Sequence, residues 1–311
     1  MAVNKNGIVV MGAVFVDIKG FPDDVYIPDG RNAGKVEYIH GGVSRNVVED
    51  IANMELRPTF LSIVDESALG DAVVRKLNNH KVNTEYIQSA PNGMGTWLAV
   101  FDNNGDLAGS ISQRPDLMPL LDVLEKKGDE IFANADSIII EVDVDKEIVK
   151  KVVELCEKHQ RKLYGVVSNM SIAVERRDFL QKFDCFICNQ LEAGMFFADD
   201  FSETAPKELA EILAKKLQLA QIPSMVVTMG GAGSVYADMK GKKGFCPAKK
   251  VQVKDTTGAG DAFCAGVSSG LTYGKTLAES VEIGTRLAAS VITSSENVCP
   301  RFLPGELGIE A

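Results

Sequence analysis

Asp255-Thr256-Thr257-Gly258-Ala259-Gly260-Asp261-Ala262-Phe263 is the stretch on which the reading of this chain turns. It follows a short β-like run, Val251-Gln252-Val253-Lys254, and opens an apolar run of helical length that reaches Leu271. A glycine-rich turn at a helix start directs free backbone N–H groups and the positive end of the helix dipole at one point. Such a point suits an anion, phosphate above all. Asp261 is the anomaly, because its carboxylate sits among the donors that attract anions. A carboxylate beside an anion hole is what phosphoryl transfer to an alcohol needs: amides hold the moving group and the aspartate takes the hydroxyl proton. A glycine turn with an aspartate helix cap would look the same locally, so the rest of the chain decides.

The chain has 311 residues, enough for one large α/β domain or two ordinary ones. No apolar run approaches the ~20 residues that cross a bilayer. The start, Met1-Ala2-Val3-Asn4-Lys5-Asn6, lacks a secretory apolar segment. A net charge of −10, with both signs mixed along the chain, argues against nucleic acid as a partner. Among the six cysteines, Cys185 and Cys188 form a CxxC inside a strand-like run. With no second pair at metal spacing they read as buried thiols, and a reducing cytoplasm follows.

Upstream of the opening stretch, residues 7–12 read as a buried strand running towards Asp17. Residues 18–34 are rich in loop formers, 35–40 alternate like a strand with one wet face, and a helix is expected over 44–55. A strand at 59–64 and a helix at 69–79 follow. Residues 96–101 and 106–112 flank Asp102-Asn103-Asn104-Gly105 as a β-hairpin, with Asn-Gly supplying the positive-φ positions. That hairpin joins 18–40 in a small sheet outside the main body. From 137 onward apolar strand runs (137–142, 162–167, 183–188, 225–229) alternate with helical segments (146–159, 172–181, 205–220). This alternation means a parallel sheet covered on both faces. Residues 233–238 and 244–254 look antiparallel around a 240–243 turn, and helices over 258–271 and 276–294 finish the chain. There is no repeat or linker, so residues 1–311 read as one domain.

Ligands of open parallel sheets bind beyond the carboxyl ends of the strands. Asn189-Gln190-Leu191-Glu192 stands at such an end: either a capping box, or a Mg²⁺ site in which Asn189 and Glu192 hold the ion or its waters. Thr228-Met229-Gly230-Gly231-Ala232-Gly233 ends another strand, as a nucleotide loop or a tight hairpin turn. It is no dinucleotide fingerprint, because strand rather than helix follows. Residues 270–276 miss the P-loop spacing and read as a helix end and a new start. Gly41-Gly42-Val43-Ser44-Arg45-Asn46 frees a second helix N-terminus, Asn46 suits sugar hydroxyls, and Asp17 suits a diol.

Together these residues resemble the ribokinase-like (PfkB) family of sugar and nucleoside kinases. Asp255 to Asp261 matches its DTxGAGD signature, Gly41-Gly42 with Asn46 its GGxxxN, Asn189 with Glu192 its NxxE, and 228–233 its nucleotide loop. The resemblance implies a three-layer α/β/α fold with a mainly parallel central sheet and a small β-sheet lid, here about 17–40 and 94–113. It implies ATP and Mg²⁺, and transfer to a primary hydroxyl. It makes Asp261 the base and Gly258, Ala259 and Gly260 the anion hole. Asp17, Gly42 and Asn46 become acceptor contacts, and Gly41, Arg45, Glu141 and Asp143 stand beside them as further candidates for the acceptor. Asn189, Thr228, Gly230, Gly231, Gly233 and Asn297 become ATP contacts. Asp255 and Thr257 become candidate ligands of a monovalent cation such as K⁺, and the lid a homodimer contact. Within the family, 32–35, 41–47, 102–106 and 294–296 are most similar to pseudouridine kinases, which phosphorylate a ribose 5′-hydroxyl. Ile187, Ser168-Asn169 and Ser112-Gln113-Arg114 depart from the relatives' pattern. Other readings are a kinase for ribose, a hexose or another nucleoside, and a nucleotide- or sugar-binding sensor without turnover.

Overall fold

The computed structural model describes residues 6–310, apart from the Arg176 side chain. The expectation for the first five residues falls outside it. In chain order, β1 (Ile8–Met11) leads out to β2 (Phe15–Pro22) and β3 (Gly34–Gly41), and the chain returns through α1 (Val43–Asn53). Then come β4 (Thr59–Val64), α2 (Ala68–Asn79), β5 (Ile87–Ser89), β6 (Gly95–Phe101), β7 (Leu107–Gln113) and α3 (Pro119–Ala133). The next elements are β8 (Ser137–Glu141), α4 (Lys146–His159), β9 (Lys162–Val166), the short α5 (Met170–Ala173) and α6 (Arg177–Leu180), β10 (Cys185–Asn189) and α7 (Gln190–Phe197). The chain closes with α8 (Pro206–Ala220), β11 (Ser224–Thr228), β12 (Ser234–Asp238), β13 (Lys243–Cys246), α9 (Ala259–Thr272) and α10 (Leu277–Ile292).

The main sheet has the order β13-β12-β11-β10-β9-β8-β1-β4-β5. Its strands pair in parallel from β11 to β5, and only the β11–β12 and β12–β13 pairs are antiparallel. The central strands are mostly apolar because both faces are covered. Val9 and Met11 pack on the layer of α3, α4 and α8, whereas Ile8 and Val10 pack on α1, α2, α9 and α10. Three layers result, as the alternation requires. Cys185 and Cys188 are buried on opposite faces of this sheet, so the CxxC spacing brings no shared metal site.

The second sheet has the order β3-β2-β6-β7, with β2 and β6 parallel and both outer pairs antiparallel. Asp17, Trp97 and Ser112 stand directly opposite one another across it, and all three line the cavity described below. The next row, Tyr38, Ile18, Leu98 and Ile111, points to the other face because side chains alternate along a strand.

Several boundaries differ from the sequence reading. Asp17 does not end the first strand: β1 stops at Met11, and Asp17 lies within β2, at the edge of the stretch read as loop. Residues 251–254 form no strand. They find no partner strand, Val253 is 62 % exposed, and the Lys254 amide donates to the Ile292 carbonyl instead. The helix expected over 172–181 is broken by a 3-10 turn at Val174–Arg176. α3 was not anticipated at all. In the 102–106 turn only Gly105 has positive φ, 86°; Asp102 Oδ1 caps the turn by accepting from the Asn104 and Asp106 amides at 2.8 and 2.9 Å.

Candidate active site

Gly258 caps α9 with φ 81°, and a Cβ there would overlap the Asn297 carbonyl. Only glycine fits such a left-handed, crowded position. The turn closes with the Ala259 amide donating to Thr256 O at 3.2 Å, so one of the three expected anion-hole amides is engaged. The Gly258, Gly260 and Asp261 amides have no protein acceptor among the described residues. At Gly260 a side chain would meet only open space. The N-terminus of a 14-residue helix therefore presents free donors to the cleft.

Asp261, in the first turn of α9, points into this space. Its Oδ2 accepts from Asn46 Nδ2 of α1 at 2.6 Å, across 215 residues of sequence. Burial pushes the carboxyl up to about 7; the Asn46 bond and the Arg45 charge oppose that rise, and the nearby Glu192 charge adds to it. A carboxyl in this range exchanges a proton near neutral pH.

A cavity of 530 Å³ opens beside it and brings together Asp17, Gly41, Gly42, Asn46, Thr257, Gly258 and Asp261. Burial raises the Asp17 carboxyl, with Lys19 and Arg45 pulling it back. Glu141 closes the floor at the end of β8. Its Oε1 accepts from the Ser44 amide at 2.7 Å, and burial, reinforced by Asp143, lifts its carboxyl to about 8. Phe15 and Trp97 add aromatic walls.

Other expected contacts are placed differently. Arg45 does not reach the cleft: only 1 % exposed, it is ion-paired with Glu49 and donates to the His40 carbonyl. Glu49 stands one helical turn after Arg45, and that pair turns the arginine inward. Asp143 lines the cavity, but both its oxygens are taken, Oδ1 by the Ser168 amide at 2.9 Å and Oδ2 by the Ser168 hydroxyl at 2.7 Å. Asn297 lines the same cavity as Asp261 and does not border the 228–230 turn's depression, and its Nδ2 donates to His40 O at 2.9 Å. Gly233 serves packing, because a Cβ there would overlap the Cys246 carbonyl of the neighbouring strand.

The 228–233 segment is a tight turn: the Met229 amide donates to Gly233 O at 2.7 Å and the Gly233 amide to Gly230 O at 3.0 Å. Gly230 and Gly231 face open space, so their backbone is approachable. Asn189, Thr228 and Gly230 border a separate depression of 900 Å³. Asn189 and Glu192 form a reciprocal capping box on α7, at 2.9 and 2.7 Å. That occupies Asn189 Oδ1 and Glu192 Oε2, and leaves Glu192 Oε1 without a protein donor among the described residues. Burial raises the Glu192 carboxyl and Asp143 adds to it. Asp261 feels the charge of Glu192, and both Glu192 and Glu141 feel that of Asp143. Among the described residues no group of three or more such side chains is arranged to hold a metal ion by protein ligands alone. Asp255 Oδ1 accepts from the Thr257 amide at 2.9 Å, a bond that holds its carboxyl below the usual range.

Sequence reasoning missed Ser44, Trp97 and the role of Ser168. Ser168 gave a signal only as a departure from the relatives' pattern. Trp97 gave none, because the register that sets it opposite Asp17 is a product of the fold.

Free amides at a helix N-terminus beside a buried aspartate, at the carboxyl edge of a three-layer sheet, suit phosphoryl transfer to a small molecule. The chain belongs to the pfkB family of carbohydrate kinases, whose profile matches residues 5–299. It is 35 % identical over 294 residues to the guanosine-inosine kinase of Exiguobacterium acetylicum, covering 94 % of this chain and 96 % of that one. To the pseudouridine kinase of Escherichia coli K12 it is 24 % identical over 280 residues, covering 89 % and 87 %. The fold matches Arabidopsis thaliana ribokinase, solved with ribose and ATP, at TM-score 0.83 and 18 % identity, covering 98 % of this chain and 99 % of that one. Kinases of this family transfer a phosphoryl group to a hydroxyl of a sugar or nucleoside, and this chain is a phosphotransferase of that kind.

Proposed function

We propose that this protein transfers the γ-phosphoryl of ATP to the 5′-hydroxyl of a ribonucleoside. The observation that carries the proposal is Asp261: a carboxyl lifted to about 7, held at 2.6 Å by Asn46, beside free amides of α9. ATP with Mg²⁺ supplies the phosphoryl group and its charge neutralisation. Asp261 takes the proton of the acceptor hydroxyl, and Asn46 keeps its carboxylate turned to that hydroxyl. The Gly258, Gly260 and Asp261 amides receive the anionic oxygens. Asp17 accepts from the ribose diol, and Glu141, protonated near neutral pH, donates to the same ring. Gly230 and Gly231 leave room for the nucleotide, and Glu192 Oε1 is the side-chain oxygen available to Mg²⁺ or its waters. Asp255 and Thr257 are the candidate ligands of a monovalent cation. Since the transition state is loose, positioning supplies most of the rate.

Size and lining support a nucleoside. A cavity of 530 Å³ with Phe15 and Trp97 in its walls exceeds what a lone pentose fills. The 35 % likeness to a guanosine-inosine kinase favours a purine base over the pseudouridine that the sequence motifs suggest. The small sheet acts as a lid, its outer row the surface for a second copy. Six free cysteines accord with a reducing, cytoplasmic setting. No helix among the described residues is long and apolar enough to cross a membrane. ADP release measured with inosine, guanosine, pseudouridine, adenosine, ribose and fructose tests the reading. Turnover with a nucleoside and little with free sugars supports it; binding of acceptor and ATP without ADP would return the chain to the sensor class.

A further inference from the structure

We infer that Arg114 reads the O6/N7 edge of the acceptor's base and so selects 6-oxopurine nucleosides; this rests on the nucleoside reading above. Arg114 follows β7, where the small sheet returns to the body, and it lines the cavity. Its Nη2 donates to the Asp143 carbonyl at 3.0 Å and lies 3.5 Å from Asp143 Oδ2. Asp143 is itself immobilised by the Ser168 amide and hydroxyl, and its side chain is 1 % exposed. One edge of the guanidinium is therefore pinned by a rigid partner. The Arg114 side chain is 47 % exposed, and its Nε and Nη1 have no protein acceptor among the described residues. What remains free is part of a rigid, planar set of N–H donors.

The hydroxyl that receives phosphoryl must lie at Asp261, with the sugar against Asp17, Gly42 and Asn46. The base then extends along the rest of the cavity, where Trp97 offers a plane for stacking. Hypoxanthine and guanine present O6 and N7 as adjacent acceptors, the edge with which arginine makes its commonest specific contact. Adenine sets an N6–H₂ donor beside N7, and a guanidinium cannot satisfy it. The uracil of pseudouridine alternates carbonyls with N–H donors and offers no adjacent acceptor pair. Asp143, expected on the sugar, and Ser168, which departs from the family pattern, thereby act together to aim Arg114.

A purely structural Arg114, strapping the small sheet to the body through Asp143, is the competing account. Steady-state kcat/KM for inosine, guanosine, adenosine, pseudouridine and 7-deazainosine separates the two, using the full chain, Arg114→Met and Arg114→Lys. We expect the unaltered protein to prefer inosine to adenosine, and to lose about tenfold with 7-deazainosine, which lacks one acceptor. In Arg114→Met the inosine-to-adenosine ratio falls roughly 10- to 100-fold, and lysine, lacking the fork, does not restore it. A strap would lower all nucleosides together and leave the ratio and the 7-deaza loss unchanged, which overturns the proposal. If the variants fail to fold, the unaltered protein still decides: equal use of inosine, 7-deazainosine and adenosine overturns it. A chain inert to every nucleoside but active on ribose or a hexose overturns the nucleoside reading itself, a pattern distinct from the others.

Discussion

Burial lifts the Asp261 carboxyl to about 7, so its proton exchange falls in the neutral range. As a base it works only when deprotonated. We expect kcat/KM to rise with pH through that value on its acid side, and this limb to vanish in Asp261→Asn. The stability consequence has the opposite sense. A carboxyl whose folded value lies above its ordinary 3.8 binds more protons folded than unfolded between those values. It therefore lowers stability progressively as pH rises from about 4 to 7. Thermal melts of Asp261→Asn should show a gain over the unaltered chain at pH 8 that shrinks at pH 5; an equal gain at both would contradict the assigned titration. Asp261 and Asn46 were legible in the sequence, since their motifs fix both type and position. The directions of Arg45 and Asp143 were not, because each is decided by its partner, Glu49 and Ser168. For Arg45 the sequence does hold a sign, a glutamate four residues on; for Asp143 the partner lies 25 residues away, on another strand end.

Elements follow the same logic one level up. The strand runs were readable because burial on both faces leaves few polar positions. The two helices α7 and α10 begin at the residues their capping boxes mark. α3 was hidden because Lys126-Lys127-Gly128-Asp129 interrupts its apolar pattern. Gly128 is there because α3 and α4 pack closely, and a Cβ would press on Leu155. The 251–254 run misled in the other direction: alternation alone makes no strand without a neighbouring edge to pair with. The start of α9 allows the sharpest prediction at this scale. Gly258→Ala puts a Cβ on the Asn297 carbonyl at φ 81°, so the turn must open. We expect a loss of roughly 1–3 kcal/mol in stability and a larger fractional loss of turnover than of acceptor binding. Calorimetry beside acceptor titration checks this; a variant with unchanged turnover would show that the turn does not hold the phosphoryl group.

Across the whole molecule, the main sheet carries Glu141 at the end of β8, the small sheet carries Asp17 and Trp97, and α1 and α9 bring Asn46 to Asp261. No local pattern joins positions so far apart; the family resemblance joined them except for Trp97. The outer row of the small sheet exposes Tyr38 at 60 %, Leu98 at 41 % and Ile111 at 70 %. An apolar row on a free sheet face is the kind of surface that associates, and we expect a dimer in solution. Light scattering should give twice the chain mass, falling to one chain mass in Tyr38→Glu with Ile111→Lys; a monomeric unaltered chain would contradict the lid contact. Whether Asp261 carries the proton is tested most directly by single-turnover phosphoryl transfer in Asp261→Asn, measured alongside nucleotide affinity. We predict an affinity close to that of the unaltered chain and a rate lower by about 10²–10⁴-fold. An undiminished rate would mean that the proton leaves the acceptor by another route, and that Asp261 is only a helix cap.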